Sequence, residues 1–109
     1  MNKKPVFKSD RFKKARGGHS RWLLVSCAKC RTPLLVYQKD GPGMLKRLYT
    51  DRIISSRLRT DANLACKKCK TILGIPIMYQ KEKRTAYRLF AGAVIKKIIK
   101  ADALKKIRL

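Results

Sequence analysis

The sequence predicts a small β domain that carries a short inserted helix, a basic N-terminal arm and a C-terminal helix. Three observations predict it. Four cysteines fall into two C-x-x-C pairs, Cys27/Cys30 and Cys66/Cys69. Short continuous apolar runs bounded by turn residues enter and leave each pair, the pattern of buried strands. The second pair also repeats the first: a shift of 39 aligns Cys27 with Cys66, Cys30 with Cys69, Thr32 with Thr71 and Leu34 with Leu73. After a three-residue insertion, Tyr37-Gln38-Lys39 matches Tyr79-Gln80-Lys81. The chain's 109 residues suffice for one small core.

The first element is the arm, residues 1–21. Phe7 and Phe12 stand among cations, and Gly17-Gly18 breaks any helix. Cations for phosphates and rings for stacking are what a strand-threading RNA contact uses. Lys3, Lys4, Phe7, Lys8, Arg11, Phe12, Lys13, Lys14, Arg16 and Arg21 are the candidate contacts here. His19 stands alone beside the glycine pair and is not expected to be a metal ligand.

The core domain is expected over 22–82. Trp22 to Val25 leads into the first cysteine pair, and Pro33 to Tyr37 leads out of it. An insertion follows at about 41–62. Gly41-Pro42-Gly43 is a turn, and Leu45, Tyr49 and Ile53 then recur at helical spacing, so Met44 to Ile54 is expected to be a short helix. Lys46, Arg47, Arg52, Arg57 and Arg59 would be its exposed charge and a second set of RNA contacts. The second hairpin comprises Asn63 to Ala65 and Ile72 to Tyr79. Pro76 marks its outgoing strand as an edge or a bulge.

The last part, 83–109, reads as a strand to about Phe90 and then a helix from about Ala93. Val94, Ile95, Ile98 and Ile99 would share one face of that helix. Lys96, Lys97 and Lys100 are candidate RNA contacts on it.

Two thiolates three residues apart in a tight turn grip one side of a metal ion. Two such pairs complete a tetrahedral four-sulfur site, which suits one structural Zn²⁺ held by Cys27, Cys30, Cys66 and Cys69. Structural disulfides would need an oxidising compartment, for which nothing in the chain argues. A redox C-x-x-C would sit in a βαβ unit and would not need two copies. The four-cysteine spacing is not that of an iron–sulfur cluster. No cysteine is left over as a nucleophile, and four thiolates close a zinc site to substrate, so no catalytic residue is expected. No small-molecule substrate is expected either.

These residues resemble the zinc ribbon, in which two C-x-x-C turns sit on short antiparallel hairpins. The resemblance covers about residues 22–81. It departs in two respects: Arg31 and Lys70 stand where glycine often follows the second cysteine, and 35 residues separate Cys30 from Cys66. With the basic arm, the chain is similar to the small zinc-binding proteins of ribosomes. That likeness implies contact with rRNA, and with neighbouring ribosomal proteins.

Charge points the same way. The formal net charge is +23, from 29 Lys+Arg against 6 Asp+Glu. It is spread along the chain as +7, +8 and +8 over residues 1–21, 22–80 and 81–109. A chain so charged repels itself unless it lies against a polyanion. An even spread favours a protein surrounded by RNA phosphates. The alternative, a DNA-binding or transcription-associated ribbon, predicts one basic face. The N-terminal stretch has no apolar segment of a secretory signal, and no apolar run is long enough to span a bilayer. The expected setting is the cytoplasm, on the ribosome, away from membranes.

Overall fold

Each apolar run that enters a cysteine pair turns back and pairs antiparallel with the run that leaves it. In the computed structural model, residues 7, 10, 19–41, 43–54, 63–100 and 103 are described. β1 (Ser20–Cys27) pairs with β2 (Pro33–Asp40), and β5 (Leu64–Ala65) pairs with β6 (Ile72–Tyr79). Between the hairpins lie β3 (Arg47–Tyr49), a 3-10 turn (Thr50–Arg52) and β4 (Ile53–Ile54). After them come β7 (Arg84–Leu89) and β8 (Val94–Ile99). The strands form two four-stranded antiparallel sheets, ordered β4-β2-β1-β8 and β3-β7-β6-β5. The result is a small β-rich protein with almost no helix among the described residues.

Alternation along β1 sends Leu23, Val25 and Cys27 to one face and Trp22, Leu24 and Ser26 to the other. The first set joins Leu35 and Tyr37 of β2, Leu48, Leu64, Leu73 and Tyr87 in the core. Trp22 on the opposite face is also buried, and the ring of Phe7 stacks on it at 4.3 Å. The first sheet is therefore covered on both faces at Trp22, whereas its edge strand β8 is exposed on both from Ile95 to Ile98.

The helix expected over Met44 to Ile54 is absent. Arg47, Leu48 and Tyr49 pair with Arg88, Tyr87 and Ala86 as an edge strand, and the Tyr49 N–H donates to Tyr37 Oη at 2.9 Å. Leu48 and Tyr49 are both buried in the core, as i+3 and i+4 of one helical face could also be, so it is the backbone pairing with β7 and not their burial that makes this segment a strand. Tertiary pairing overrode the local period. Burial pushes the Tyr37 phenol pKa up.

The helix expected from about Ala93 is also absent among the described residues; most of 101–109 lies outside them. Gly92, at φ +72°, turns the chain, with the Ala93 N–H donating to the Phe90 carbonyl, and Val94–Ile99 runs antiparallel to β1. β-branched residues fill four of the six positions of VIKKII, and such side chains favour a pleated strand over a helix. The strand expected to about Phe90 is present as β7. Pro76 lies beyond the end of β5, so on that side it is an edge residue, as its ring requires.

The repeat is closer than the sequence suggests in one respect and looser in another. Register shifts fall between Val25 and Ser26 and between Leu64 and Ala65, which are 39 residues apart. Both outgoing strands, 33–40 and 72–79, keep that same offset to their ends. No three-residue insertion separates the copies. Tyr79 takes the place of Asp40, so the repeated Tyr-Gln-Lys falls at different positions in the two strands: Tyr37 lies within β2 and Tyr79 ends β6.

Candidate metal centre

Both C-x-x-C turns are built by the same two backbone bonds. Cys27 N–H donates to the Thr32 carbonyl at 2.9 Å, and Arg31 N–H to the Cys27 carbonyl at 2.7 Å. In the second copy, Cys66 N–H donates to the Thr71 carbonyl at 2.9 Å, and Lys70 N–H to the Cys66 carbonyl at 3.0 Å. To close such a turn, the residue after the second cysteine must be left-handed. Arg31 and Lys70 are, at φ 63° and 65°. Glycine would adopt this without a Cβ penalty, and these two residues do so at a cost of about 1 kcal/mol each.

The four Sγ atoms lie within 4.8 Å of one another, with Cys27 and Cys66 buried and Cys30 and Cys69 half-buried. Cys27 Sγ is 3.7 Å from Cys69 Sγ, and Cys30 Sγ is 3.5 Å from Cys66 Sγ. The repeat converts one of these pairs into the other, so the site has an approximate two-fold relation. A tetrahedron with Zn–S bonds of about 2.3 Å has edges of about 3.8 Å, close to both distances. The four cysteines are thus placed to hold one metal ion, consistent with one structural zinc.

Around the sulfurs the pairing continues. Thr32 Oγ1 is 3.1 Å from Cys30 Sγ, and Thr71 Oγ1 is 3.2 Å from Cys69 Sγ. Once a thiol ionises, the hydroxyl donates to it, so Thr32 draws the Cys30 pKa down to about 6 and Thr71 lowers that of Cys69. The N–H of Cys30 works in the same direction on Cys27. Burial and the neighbouring thiols outweigh it, and the Cys27 thiol is pushed up. Backbone N–H groups of Lys68 and Cys69 also point at Cys66 Sγ, at 3.4 and 3.5 Å. Donors of this kind stabilise ligating thiolates and hold them in place.

Of the cations expected to meet RNA, Arg21, Lys46, Lys96, Lys97 and Lys100 are exposed. Arg47 is half-buried, its guanidinium 4.2 Å from the centre of the Tyr79 ring. Arg52 is not part of an exposed face. It is 1% exposed, with Nε donating to Asp40 Oδ2 at 2.9 Å and Nη2 paired with Asp10. Burial opposes its charge, but the bonds to Asp10 and Asp40 more than compensate and push its pKa up. Phe7 is committed to Trp22. Lys3, Lys4, Lys8, Arg11, Phe12, Lys13, Lys14, Arg16, Arg57 and Arg59 lie outside the described residues.

Sequence reasoning missed a buried ionic network. Asp40 Oδ1 accepts from Ser20 Oγ at 2.7 Å and from Gln38 Nε2 at 2.9 Å. Asp51 lies between Arg52 and Arg84, and Arg84 also reaches Glu82. The Arg84 guanidinium rests 3.8 Å from the centre of the Tyr49 ring. One signal was available. Asp40 ends a strand that opens with the apolar run Pro33 to Val36, and a carboxylate buried there needs a cation brought to it.

The fold and site define a small two-sheet β protein with a four-cysteine cluster placed to hold one metal ion. No family model matches the chain, and neither a curated protein nor a solved structure matches it. Among the described residues, no helix is long and apolar enough to cross a membrane.

Proposed function

We propose that the protein is a structural, zinc-ribbon-like RNA-binding protein that sits among rRNA phosphates in the ribosome. One observation carries this reading. Asp10, Asp40, Asp51 and Glu82 are all ion-paired with the buried arginines Arg52 and Arg84. The other lysines and arginines among the described residues are exposed, apart from the half-buried Lys39 and Arg47. The described carboxylates are thus neutralised within the fold, while nearly all the described cations remain unmatched at the surface. With four thiolates and one Zn²⁺ the formal charge would still be about +21. RNA phosphates compensate a surface of this kind, and such binding is dominated by counterion release.

Zinc in this reading is a folding element. It has no open coordination position, which is the reason for assigning no catalysis. Cations on both sheets and on both cysteine turns favour a protein enclosed by RNA over a ribbon that reads DNA from one face.

The test is binding of the zinc-loaded chain to structured RNA across a salt series, together with co-sedimentation with ribosomal subunits. The expected results are an affinity that falls steeply and linearly on logarithmic axes as salt rises, and retention on one subunit through a high-salt wash. Strong preference for one DNA sequence would favour the DNA-binding alternative. Salt-insensitive RNA binding would count against both.

A further inference from the structure

A cleft of about 770 Å³ opens beside the β7–β8 turn, between the second sheet and the edge of the first. Its size is within the range of about 300–1,000 Å³ typical of small-ligand sites. Ile77, Leu89 and Val94 give it an apolar lining, and Phe90 stands in it 47% exposed. Arg47, Arg88 and Lys96 bring positive charge to the same cleft. An exposed aromatic ring beside apolar side chains and cations suits a flat apolar ring that carries a negative group.

The second observation is the register. Arg47 and Arg88 are direct cross-strand partners. Like charges placed directly opposite destabilise a sheet. The Tyr79 ring, 4.2 Å from the Arg47 guanidinium, relieves that charge only in part, Ile75 on the other side of Arg88 carries none, and among the described residues neither arginine has a carboxylate partner. This differs from Arg52 and Arg84, whose charges are matched within the fold. An anion held between Arg47 and Arg88 would remove the repulsion, and guanidinium groups hold phosphate oxygens in bidentate pairs.

We infer that this cleft receives one unpaired nucleotide of the bound RNA, with its base against Phe90 and its phosphate between Arg47 and Arg88. The inference rests on the RNA-binding reading above and adds to it a preference for single-stranded segments. Base–aromatic stacking is available only to a base freed from a duplex.

The experiment uses the full zinc-loaded chain, an unstructured uridine oligomer and an RNA duplex with the same number of phosphates. Phe90→Ala is expected to weaken oligomer binding about tenfold and leave duplex binding unchanged. Arg88→Gln is expected to weaken oligomer binding and lower its salt slope by about one. The same substitution should raise the Tm of the free protein, because it removes the Arg47–Arg88 opposition; a merely structural arginine would lower it. Zinc content and circular dichroism establish that both variants are folded. If the parent binds RNA in a salt-dependent way but Phe90→Ala affects oligomer and duplex equally, or neither, the cleft assignment is overturned and the RNA reading stands. If an acidic peptide, but not the oligomer, competes for the cleft, the assignment is likewise overturned. If the parent binds neither RNA, both fall together.

Discussion

In the first cysteine hairpin both strands are eight residues long, whereas in the second the incoming strand is two residues and the outgoing one eight. Five consecutive residues of β2, Leu34–Gln38, are buried, while the second half of β6 alternates between half-buried and exposed. Yet the two cysteine turns match in backbone bonds, in the left-handed residue, in the threonine beside the sulfur and in the register shift before the first cysteine. A metal-gripping turn is made of local ingredients and tolerates different surroundings. The strands around it answer to their neighbours. β1 lies between β2 and β8, and β2 ends in a carboxylate that draws in Arg52. β5 has only β6.

Removing the metal tests the shared part hardest. Structural zinc contributes about 10–16 kcal/mol in small sites, comparable with or above the whole stability of a domain of this kind. Chelation, or either Cys27→Ser or Cys66→Ser, is expected to abolish the β-sheet circular dichroism signal. The two substitutions should do so alike, because the repeat makes the residues equivalent. A folded metal-free protein would break the comparison at its centre.

The unshared part is tested next. Arg52→Ala leaves Asp40 buried without its cation, and breaking a buried pair costs about 3–5 kcal/mol. Asp40→Asn should cost more than Asp10→Asn in denaturant unfolding, because the Asp40 side chain is 4% exposed and that of Asp10 is 36%. Equal losses would mean that the network does not belong to the first hairpin.

The threonines sharpen the equivalence of the turns. Thr32 and Thr71 favour the thiolates of Cys30 and Cys69, whose pKa values are lowered, that of Cys30 to about 6. Such groups favour the folded protein above the ordinary thiol pKa, and the benefit is lost as pH falls through the lowered value. Thr32→Val raises the Cys30 pKa, so protons displace the metal at a higher pH. Thr71→Val should shift the pH midpoint of zinc release in the same direction and by a similar amount, as followed with a colorimetric zinc indicator.

The smallest effects come from the left-handed residues. Arg31→Gly and Lys70→Gly each relieve a Cβ penalty and are expected to stabilise the zinc-loaded protein by up to about 1 kcal/mol in denaturant unfolding. If one stabilises and the other does not, the two turns are less alike than their φ angles indicate.

The cysteine pairs, their offset of 39 and the apolar runs beside them could be read from the sequence alone, and they sufficed for the four ligands and the two hairpins. That information is local: a turn of five or six residues closes its own hydrogen bonds, and four thiolates admit few other uses. The sequence was misleading at Leu45, Tyr49 and Ile53 and over Val94 to Ile99. There, helical spacing of apolar residues coexisted with an edge of sheet seeking a partner. Pairing with β7 and β1 satisfied those edges, and only the assembled sheets could supply that alternative. The role of Arg52 was settled by the same assembly. A lysine- and arginine-rich stretch reads as solvated charge until folding brings Asp40 and Asp10 to one of its members. Local chemistry therefore determined the metal site, and long-range pairing decided which cations turned inward to the carboxylates and which stayed at the surface.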